Sequence, residues 1–151
     1  MSPRVNNHVG RNYKKRRRRD RLSKEQRSNL MSRVRAENTG LEKSFLQLIK
    51  KSIKIKFKTH VKDLRGKPDV VFPNRRLVIF IDGDFWHGWQ FPRWKHQMKN
   101  EFWRAKIAGN RKRDKRTREF LGRNGWKVLR VWEHEVRNRP DRAINKIMAS
   151  L

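Results

Sequence analysis

The sequence predicts an α/β fold in which one mixed β-sheet is flanked by helices. Two observations support this fold class: helix-like and strand-like segments follow one another in the order α, β, β, β, α, β, α, and a tight turn joins two of the strands. A chain of 151 residues has room for one such domain and little more.

Two helices and a strand are expected first. Residues 23–26 have the form of a helix start, and Thr39-Gly40-Leu41-Glu42 has the form of a capping box followed by apolar residues at helical spacing. Ile53, Ile55 and Phe57 alternate with lysines, and this period of two is typical of a half-buried strand.

The next two strands form a predicted hairpin. Residues 69–72 resemble a short buried strand, residues 73–76 a turn, and residues 77–81 the returning strand.

A long helix, a strand and a terminal helix complete the domain. The helix is expected over residues 101–121 and ends near Gly122, and the strand is expected over residues 127–132. The terminal helix covers residues 141–151, with Pro140 at its start.

The charge of the chain indicates a polyanionic partner. Its 42 Lys and Arg outnumber 14 Asp and Glu, which gives a formal charge of +28 and makes nucleic acid the simplest partner. The absence of cysteine excludes disulfides, thiolate zinc sites and a cysteine nucleophile, and fits a cytosolic setting. No apolar run is long enough to span a membrane, and the N-terminus does not resemble a secretory signal.

Residues 1–22 are expected to form a flexible basic arm that precedes a folded domain over residues 23–151. We expect the run from Lys14 to Arg19, including Arg16, Arg17 and Arg18, to contact phosphates. The alternative is a solubilising or localising tail.

Acidic residues are rare enough here to be informative. If the hairpin turns at residues 74–75, Asp69 lies opposite Phe80, and Asp82 shares a face with Phe80. Asp69 and Asp82 are then diagonal neighbours with Cα atoms about 7–8 Å apart, and such hard oxygen ligands suit Mg²⁺. The alternative is that both aspartates end strands and face solvent or a lysine.

A histidine and two further acids are candidates for chemistry. The long helix places Asp114 on its inward face, where His87 is a natural partner and the pair forms a usable general base. The spacing supports equally an ion pair between Asp114 and an arginine. Glu42 is explained by capping, but it also borders the apolar face of its helix and could point toward the site.

Seven aromatic rings lie within residues 85–103. Core packing is their ordinary explanation, but some could stack on bases or wedge between base pairs. The rings are Phe85, Trp86, Trp89, Phe91, Trp94, Phe102 and Trp103.

Together these segments resemble the very short patch repair (Vsr) endonuclease family, a branch of the restriction-endonuclease-like PD-(D/E)xK fold. The resemblance runs from about Met31 to Val136, roughly two thirds of the chain. The matching motifs are Met31-Ser32-Arg33-Val34-Arg35 with Asn38-Thr39, Gly66-Lys67-Pro68-Asp69-Val70-Val71-Phe72, Val78-Ile79-Phe80, Gly83-x-Phe85-Trp86-His87-Gly88, Glu101-Phe102-Trp103-x-x-Lys106-Ile107, Asn110-x-x-x-Asp114 and Gly125-Trp126-x-Val128-Leu129-x-Val131-Trp132-Glu133.

The resemblance implies a nuclease that uses Mg²⁺, or Mn²⁺ in its place, to cut one strand of double-stranded DNA near a mismatch. It implies that Asp69 is the central metal ligand, that His87 activates water and that Asp114 orients this histidine. Glu42 matches the family's N-terminal catalytic glutamate.

The resemblance also implies a DNA interface and a cellular setting. Phe85, Trp86 and Trp103 match the family's DNA-wedging aromatics, and Lys67 lies in a matching motif as a candidate DNA contact. The implied setting is the cytoplasm of a prokaryote, or of a cell infected by a phage that encodes the protein. A repair-protein partner is left open.

The chain departs from the family in two places. Positions matching the structural zinc ligands hold Asp84, Trp89, Phe91 and His134, so this zinc is expected to be absent and packing by Trp89 and Phe91 to replace it. Asp82 follows Ile81 where the family commonly has Thr-His, which adds a possible metal ligand.

Two other functions compete with mismatch repair. Related homing nucleases also favour acids in this segment, so a homing or restriction-type endonuclease that recognises a sequence is one alternative. A basic nucleic-acid-binding protein without activity is the other, and the retained acids argue against it.

Overall fold

The structure is a computed structural model that describes residues 23–151, and of Lys24 and residues 31–39 it describes the backbone alone. The predicted basic arm over residues 1–22, with Arg16, Arg17 and Arg18, lies outside the described residues.

The described chain begins with one long helix, α1 (Lys24–Ser52). Ser23 caps it as predicted, because its Oγ accepts from the Gln26 N–H at 3.1 Å while Gln26 Oε1 accepts from the Ser23 N–H at 2.9 Å. The prediction that a second helix begins at residues 39–42 is wrong, and so is the capping role of Glu42. The helix continues through Gly40, whose cost of about 1 kcal/mol relative to Ala is outweighed by the buried residues Phe45 and Ile49.

Four strands form a mixed sheet, which confirms the predicted fold class. They are β1 (Lys58–Thr59), β2 (Val70–Phe72), β3 (Leu77–Asp82) and β4 (Lys127–Trp132), in that order across the sheet. The β1–β2 and β2–β3 pairs are antiparallel, whereas β3 runs parallel to β4.

The first strand was predicted too early in the chain. Ile53, Ile55 and Phe57 lie outside β1, although Ile53 is buried and the other two pack against the core. Their alternation therefore reports burial on one side of an extended segment, and the pairing with β2 begins only at Lys58.

The hairpin has the predicted register. Val70 pairs with Ile79, and the Asp69 N–H donates to the Ile79 carbonyl at 3.0 Å, which continues the pairing to Asp69 beside Phe80. A 3₁₀ turn at Pro73–Arg75 and a left-handed Arg76 (φ 49°) connect the strands.

The helices after β3 are α2 (Phe91–Trp94), α3 (Glu101–Arg123), α4 (Glu133–Asn138) and α5 (Pro140–Met148). The long helix, the last strand and the terminal helix confirm their predictions. The short helices α2 and α4 have no strong apolar period and were not predicted.

The sheet has a core on each face. The larger core includes Ile79 and Val131 of the sheet, Phe45 of α1, and Ile144 and Ile147 of α5. The smaller core joins Val71 and Val78 to Leu121 of α3.

The site forms on the α3 face at the end of β3. Phe80 pairs with Arg130 and Asp82 pairs with Trp132, so Asp82 and Arg130 fall on the same face as Phe80. Within residues 23–151, no helix is both long and apolar enough to cross a membrane.

Candidate active site

His87 lies in a loop that α3 holds from two sides. The Asn110 side-chain amide donates to the Trp86 carbonyl at 2.9 Å, and the Arg111 guanidinium donates to the Gly88 carbonyl at 3.0 Å. Gly88 has φ +66°, and a Cβ there would lie 2.8 Å from the Ile107 side chain. A glycine is therefore needed where the loop presses on the helix, and this contact positions His87.

His87 and Asp114 form the hydrogen-bonded pair that the helical stripe predicts. His87 Nδ1 lies 2.7 Å from Asp114 Oδ2. Burial would raise the pKa of Asp114, but hydrogen bonds from His87 and Arg130 outweigh it and lower this pKa to about 2. Because an ionised carboxylate only accepts, Nδ1 carries the proton and Nε2 is the unprotonated nitrogen of the neutral ring.

The alternative partner for Asp114 is present as well. Arg130 Nη2 donates to Asp114 Oδ2 at 3.0 Å, and Arg130 Nε bonds to Asp82 Oδ2. Asp82 is buried, with 2% of its surface exposed, and its Oδ1 is 3.3 Å from His87 Nδ1. His87, Asp114, Asp82 and Arg130 thus form one contiguous cluster.

Asp69 belongs to a neighbouring group of acids. Its Oδ2 accepts a hydrogen bond at 2.6 Å from the N–H of Ile81, the residue directly before Asp82. Burial raises its pKa to about 6 against the lowering effect of this bond, and the carboxylates of Glu42 and Asp82 add to the increase. Asp69 therefore lies in an unusually negative environment for such a basic chain.

Glu42 points from α1 toward this group. Its Oε1 is 3.7 Å from His60 Nδ1, and His60 pairs through its backbone N–H with the Asp69 carbonyl at 3.2 Å. The structure thus brings Glu42, Asp69 and Asp82 near one another. Among the side chains that the structure describes, no three of His, Cys, Asp or Glu are arranged as a ready metal-binding group.

A basic pocket of about 640 Å³ opens over the His87 cluster. Lys67 lies on its rim, whereas Asp69 is not part of its lining. Asp82, His87 and Asp114 are the ionisable groups here that are not Lys or Arg. The basic lining residues are Arg65, Lys67, Lys112, Arg113, Arg116, Arg118 and Arg130.

The predicted wedge residues form a connected aromatic group beside His87. Trp86 contacts Phe85 edge to face at a centroid distance of 4.9 Å and contacts Trp103 at 5.5 Å. Phe85 is 44% exposed, and its ring also stacks with Trp94. The group is packed at its base and open to solvent at Phe85.

Three of the four residues at the positions that match the family's zinc ligands contact one another. His134 Nδ1 is 2.7 Å from Asp84 Oδ1, and the Trp89 ring lies 4.7 Å from the His134 ring. Phe91 is buried. Trp89 and Phe91 therefore pack as expected, whereas the lack of a structural zinc stays a prediction.

Sequence comparison gives the family. The family model described as DNA mismatch endonuclease Vsr matches residues 19–93. The type II nicking enzyme V.XorIIP of Xanthomonas oryzae pv. oryzae is 45% identical over 122 residues, which cover 78% of this chain and 86% of that protein. The chain belongs to the Vsr family. It is a DNA endonuclease, and the resemblance inferred from its motifs is confirmed.

Other relatives agree with this assignment. The DNA mismatch endonuclease Vsr of Escherichia coli K12 is 36% identical over 114 residues, covering 75% of this chain and 72% of that protein. The type II nicking enzyme V.HpaIIP of Haemophilus parainfluenzae is 32% identical over 127 residues, covering 82% of this chain and 89% of that protein.

Two site residues were missed at the sequence level. Arg130 lies in the middle of a predicted strand, where a charged residue needs buried partners, and that signal was available. His60 follows a two-residue strand that the alternation of apolar residues did not locate, so its approach to Glu42 was not foreseeable.

Proposed function

We propose that this endonuclease is Mg²⁺-dependent and nicks one strand of mismatched duplex DNA in very short patch repair. The observation that carries the proposal is the His87–Asp114 hydrogen bond at the floor of a basic pocket, with Asp69 beside the neighbouring strand end. The names of the relatives, which are nicking enzymes and a mismatch endonuclease, support the nicking and mismatch parts.

His87 acts as the general base toward water. Because its Nδ1 proton is committed to Asp114, Nε2 accepts a proton of the attacking water as the new P–O bond forms. The ester P–O bond breaks, and the departing sugar oxygen takes its proton from solvent water. Asp114 stays ionised, holds the ring in this tautomer and stabilises the positive charge that the ring acquires.

Asp69 would hold the Mg²⁺ ion. The donor set fits, because Asp69 offers half-buried carboxylate oxygens, and a bound divalent cation would favour the ionised form that burial and the neighbouring carboxylates oppose. A site with few protein ligands also suits Mg²⁺, because this ion usually keeps several of its bound waters. The bound ion would stabilise the charge on the phosphate. Asp82 remains the candidate second ligand, although Arg130 competes for its carboxylate.

Glu42 contributes its carboxylate to the acidic side of the site. It faces His60 at 3.7 Å and adds negative charge near Asp69, so its removal should weaken cation binding. This matches the catalytic role that the family resemblance implies for it.

The DNA interface combines wedging aromatics and phosphate contacts. Phe85, Trp86 and Trp103 enter the stack beside the mismatch, and Lys67 with the other exposed basic residues of the pocket contacts the backbone. We extend this interface to Arg16, Arg17 and Arg18 on the strength of their charge. The bacterial origin of the relatives supports action on DNA in a prokaryotic cytoplasm.

The test is a strand-labelled nicking assay on otherwise identical duplexes that are perfectly paired or carry each mismatch. The wild type should nick one strand of at least one mismatched duplex with Mg²⁺ or Mn²⁺, and chelation should stop the reaction. Equal cleavage of the paired duplex at one sequence would support the homing or restriction-type alternative. Binding without cleavage of any duplex would contradict the proposal.

A further inference from the structure

Arg130 contacts site residues from three parts of the chain: Asp82, His87 and Asp114. From β4 it reaches Asp82 at the end of β3 with Nε, and Asp114 of α3 with Nη2 at 3.0 Å. Its Nη2 also lies 3.1 Å from His87 Nδ1, because both nitrogens donate to Asp114 Oδ2. The side chain is 19% exposed, so these contacts form largely away from water.

In this cluster Asp82 and Asp114 compete for the same hydrogen bond, and Arg130 determines which of them forms it. Two carboxylates approach the single N–H on His87 Nδ1, Asp114 at 2.7 Å and Asp82 at 3.3 Å. Without a cation between them they would repel each other, and either could take the histidine proton. Arg130 engages one oxygen of each, so Asp82 is held back and Asp114 becomes the partner of His87.

We propose that Arg130 is a positioning residue that selects Asp114 as the partner of His87, and that Asp82 serves to anchor Arg130 rather than to bind metal. This inference rests on the proposed role of His87 as the base. It changes the expectation for Asp82 from a metal ligand to half of an ion pair.

The surroundings of Arg130 support a fixed side chain. Lys146 of α5 donates to the Arg130 carbonyl at 2.9 Å, and the guanidinium lies 5.5 Å from the centroid of the Trp132 ring. Burial alone would lower the pKa of Arg130, but Asp82 and Asp114 outweigh it and raise this pKa. A guanidinium neutralised by two carboxylates is a poor phosphate ligand, so a direct contact with DNA is the less suitable role.

Four variants test the inference against a matched control. Arg130→Met removes the charge, Arg130→Lys keeps it with different geometry, and Asp82→Asn with the double variant Asp82→Asn/Arg130→Met tests the anchor. The control is Arg137→Met, because Arg137 also pairs with a carboxylate, that of Glu133 at 2.7 Å, but is exposed and lies outside the pocket. Asp69→Asn serves as the reference for lost metal binding.

Three readouts are needed. Single-turnover nicking with saturating enzyme measures chemistry apart from DNA affinity. The ¹⁵N shifts of the His87 ring in the metal-free protein report which nitrogen carries the proton. Titration of Mn²⁺ alone measures metal binding without catalysis.

We expect Arg130→Met to lower the nicking rate by about 10- to 100-fold with little change in DNA affinity. Arg130→Lys should recover part of the rate, Arg137→Met should resemble the wild type, and the double variant should be no slower than Arg130→Met. The His87 Nδ1–H signal should shift or weaken in Arg130→Met and, to a smaller extent, in Arg130→Lys, but not in Arg137→Met. Mn²⁺ binding should survive Asp82→Asn and be lost in Asp69→Asn.

The inference is overturned if Arg130→Met matches Arg137→Met in rate and ring shifts, or if Asp82→Asn loses Mn²⁺ as Asp69→Asn does. Should Arg130→Met fail to fold, Arg130→Lys and Asp82→Asn still give the ring shifts and the Mn²⁺ titration. If the wild type nicks no duplex, the proposed function fails, while these two readouts still decide the role of Arg130.

Discussion

Asp69 and Asp114 are two aspartates of one site whose environments act in opposite directions. Burial and nearby carboxylates raise the pKa of Asp69 to about 6, whereas His87 and Arg130 lower that of Asp114 to about 2. A bound cation would therefore favour the ionised form of Asp69, whereas Asp114 is already paired with protein cations.

Asp69→Asn should stabilise the metal-free protein at neutral pH. A folded-state pKa above the unfolded value means that ionisation costs stability, so the wild type loses stability as pH rises from about 4 to about 6. Asn keeps an acceptor for the Ile81 N–H and avoids this loss, for a gain of about 1–3 kcal/mol at pH 7.5 and little at pH 4. Urea denaturation at the two pH values measures the difference.

The wild type and Asp69→Asn also test whether Asp69 binds Mg²⁺. Added Mg²⁺ should raise the melting temperature of the wild type and leave that of Asp69→Asn unchanged, since only a folded site binds the ion. Equal stabilisation of both proteins would assign the ion to another site.

Asp114→Asn should lower the nicking rate by about 10²- to 10⁴-fold while DNA affinity stays near that of the wild type. The Asn amide can donate to His87 Nδ1, which favours the tautomer with the proton on Nε2 and removes the base. Asp63→Asn is the control, because Asp63 is an exposed acid outside the pocket. A rate equal to that of this control would remove Asp114 from the mechanism.

At the scale of elements, the loop that carries His87 depends on its contact with α3. Gly88→Ala forces a side chain into a left-handed backbone (φ +66°) and 2.8 Å from Ile107. We expect a loss of about 1–3 kcal/mol in the free energy of unfolding and a slower nicking rate, because the loop must shift. Denaturation curves and single-turnover rates measure the two effects.

Gly109→Ala is the matched control for stability in α3. A Cβ at Gly109 meets no atom within 4 Å, so the change should stabilise the helix by about 0.5–1 kcal/mol. If both alanines had the same effect, the close contact at Gly88 would not be what holds the loop.

The elements also show which features the sequence could predict. Hairpin register follows from turn position, so Asp69 beside Phe80 was predictable, and a helical stripe placed Asp114 inward. Local signals failed where tertiary packing decides: the capping pattern at Thr39 is overridden inside α1, and β1 pairs only at Lys58 and Thr59.

The site residues likewise divide into those that the sequence could predict and those that it could not. The His87–Asp114 pair could be proposed because each residue has a recognisable motif and a defined face. The role of Arg130 could not be assigned, because its partners come from β3 and α3 and meet only when β4 takes its place parallel to β3. The strand position of Arg130 signals that it has buried partners, but a single sequence does not show which carboxylates they are.

At the scale of the whole molecule, charge should dominate affinity for DNA. With a formal charge of +28, the binding constant should fall steeply with salt, by about 10³- to 10⁵-fold between 50 and 200 mM if 6–10 phosphates are neutralised. Replacing Arg16, Arg17 and Arg18 with Gln should reduce the slope of log K against log salt by about 3. Fluorescence anisotropy over a salt series measures this slope, and an unchanged slope would exclude the arm from the interface.

On the proposed mechanism, a few retained acids make this basic DNA-binding protein a metal-dependent nuclease. The most direct test compares the single-turnover nicking rates of the wild type and Asp69→Asn on a mismatched duplex in saturating Mg²⁺, with DNA binding measured in parallel. We expect Asp69→Asn to bind DNA at least as tightly as the wild type and to nick it too slowly to detect. Nicking by Asp69→Asn at the wild-type rate would contradict it.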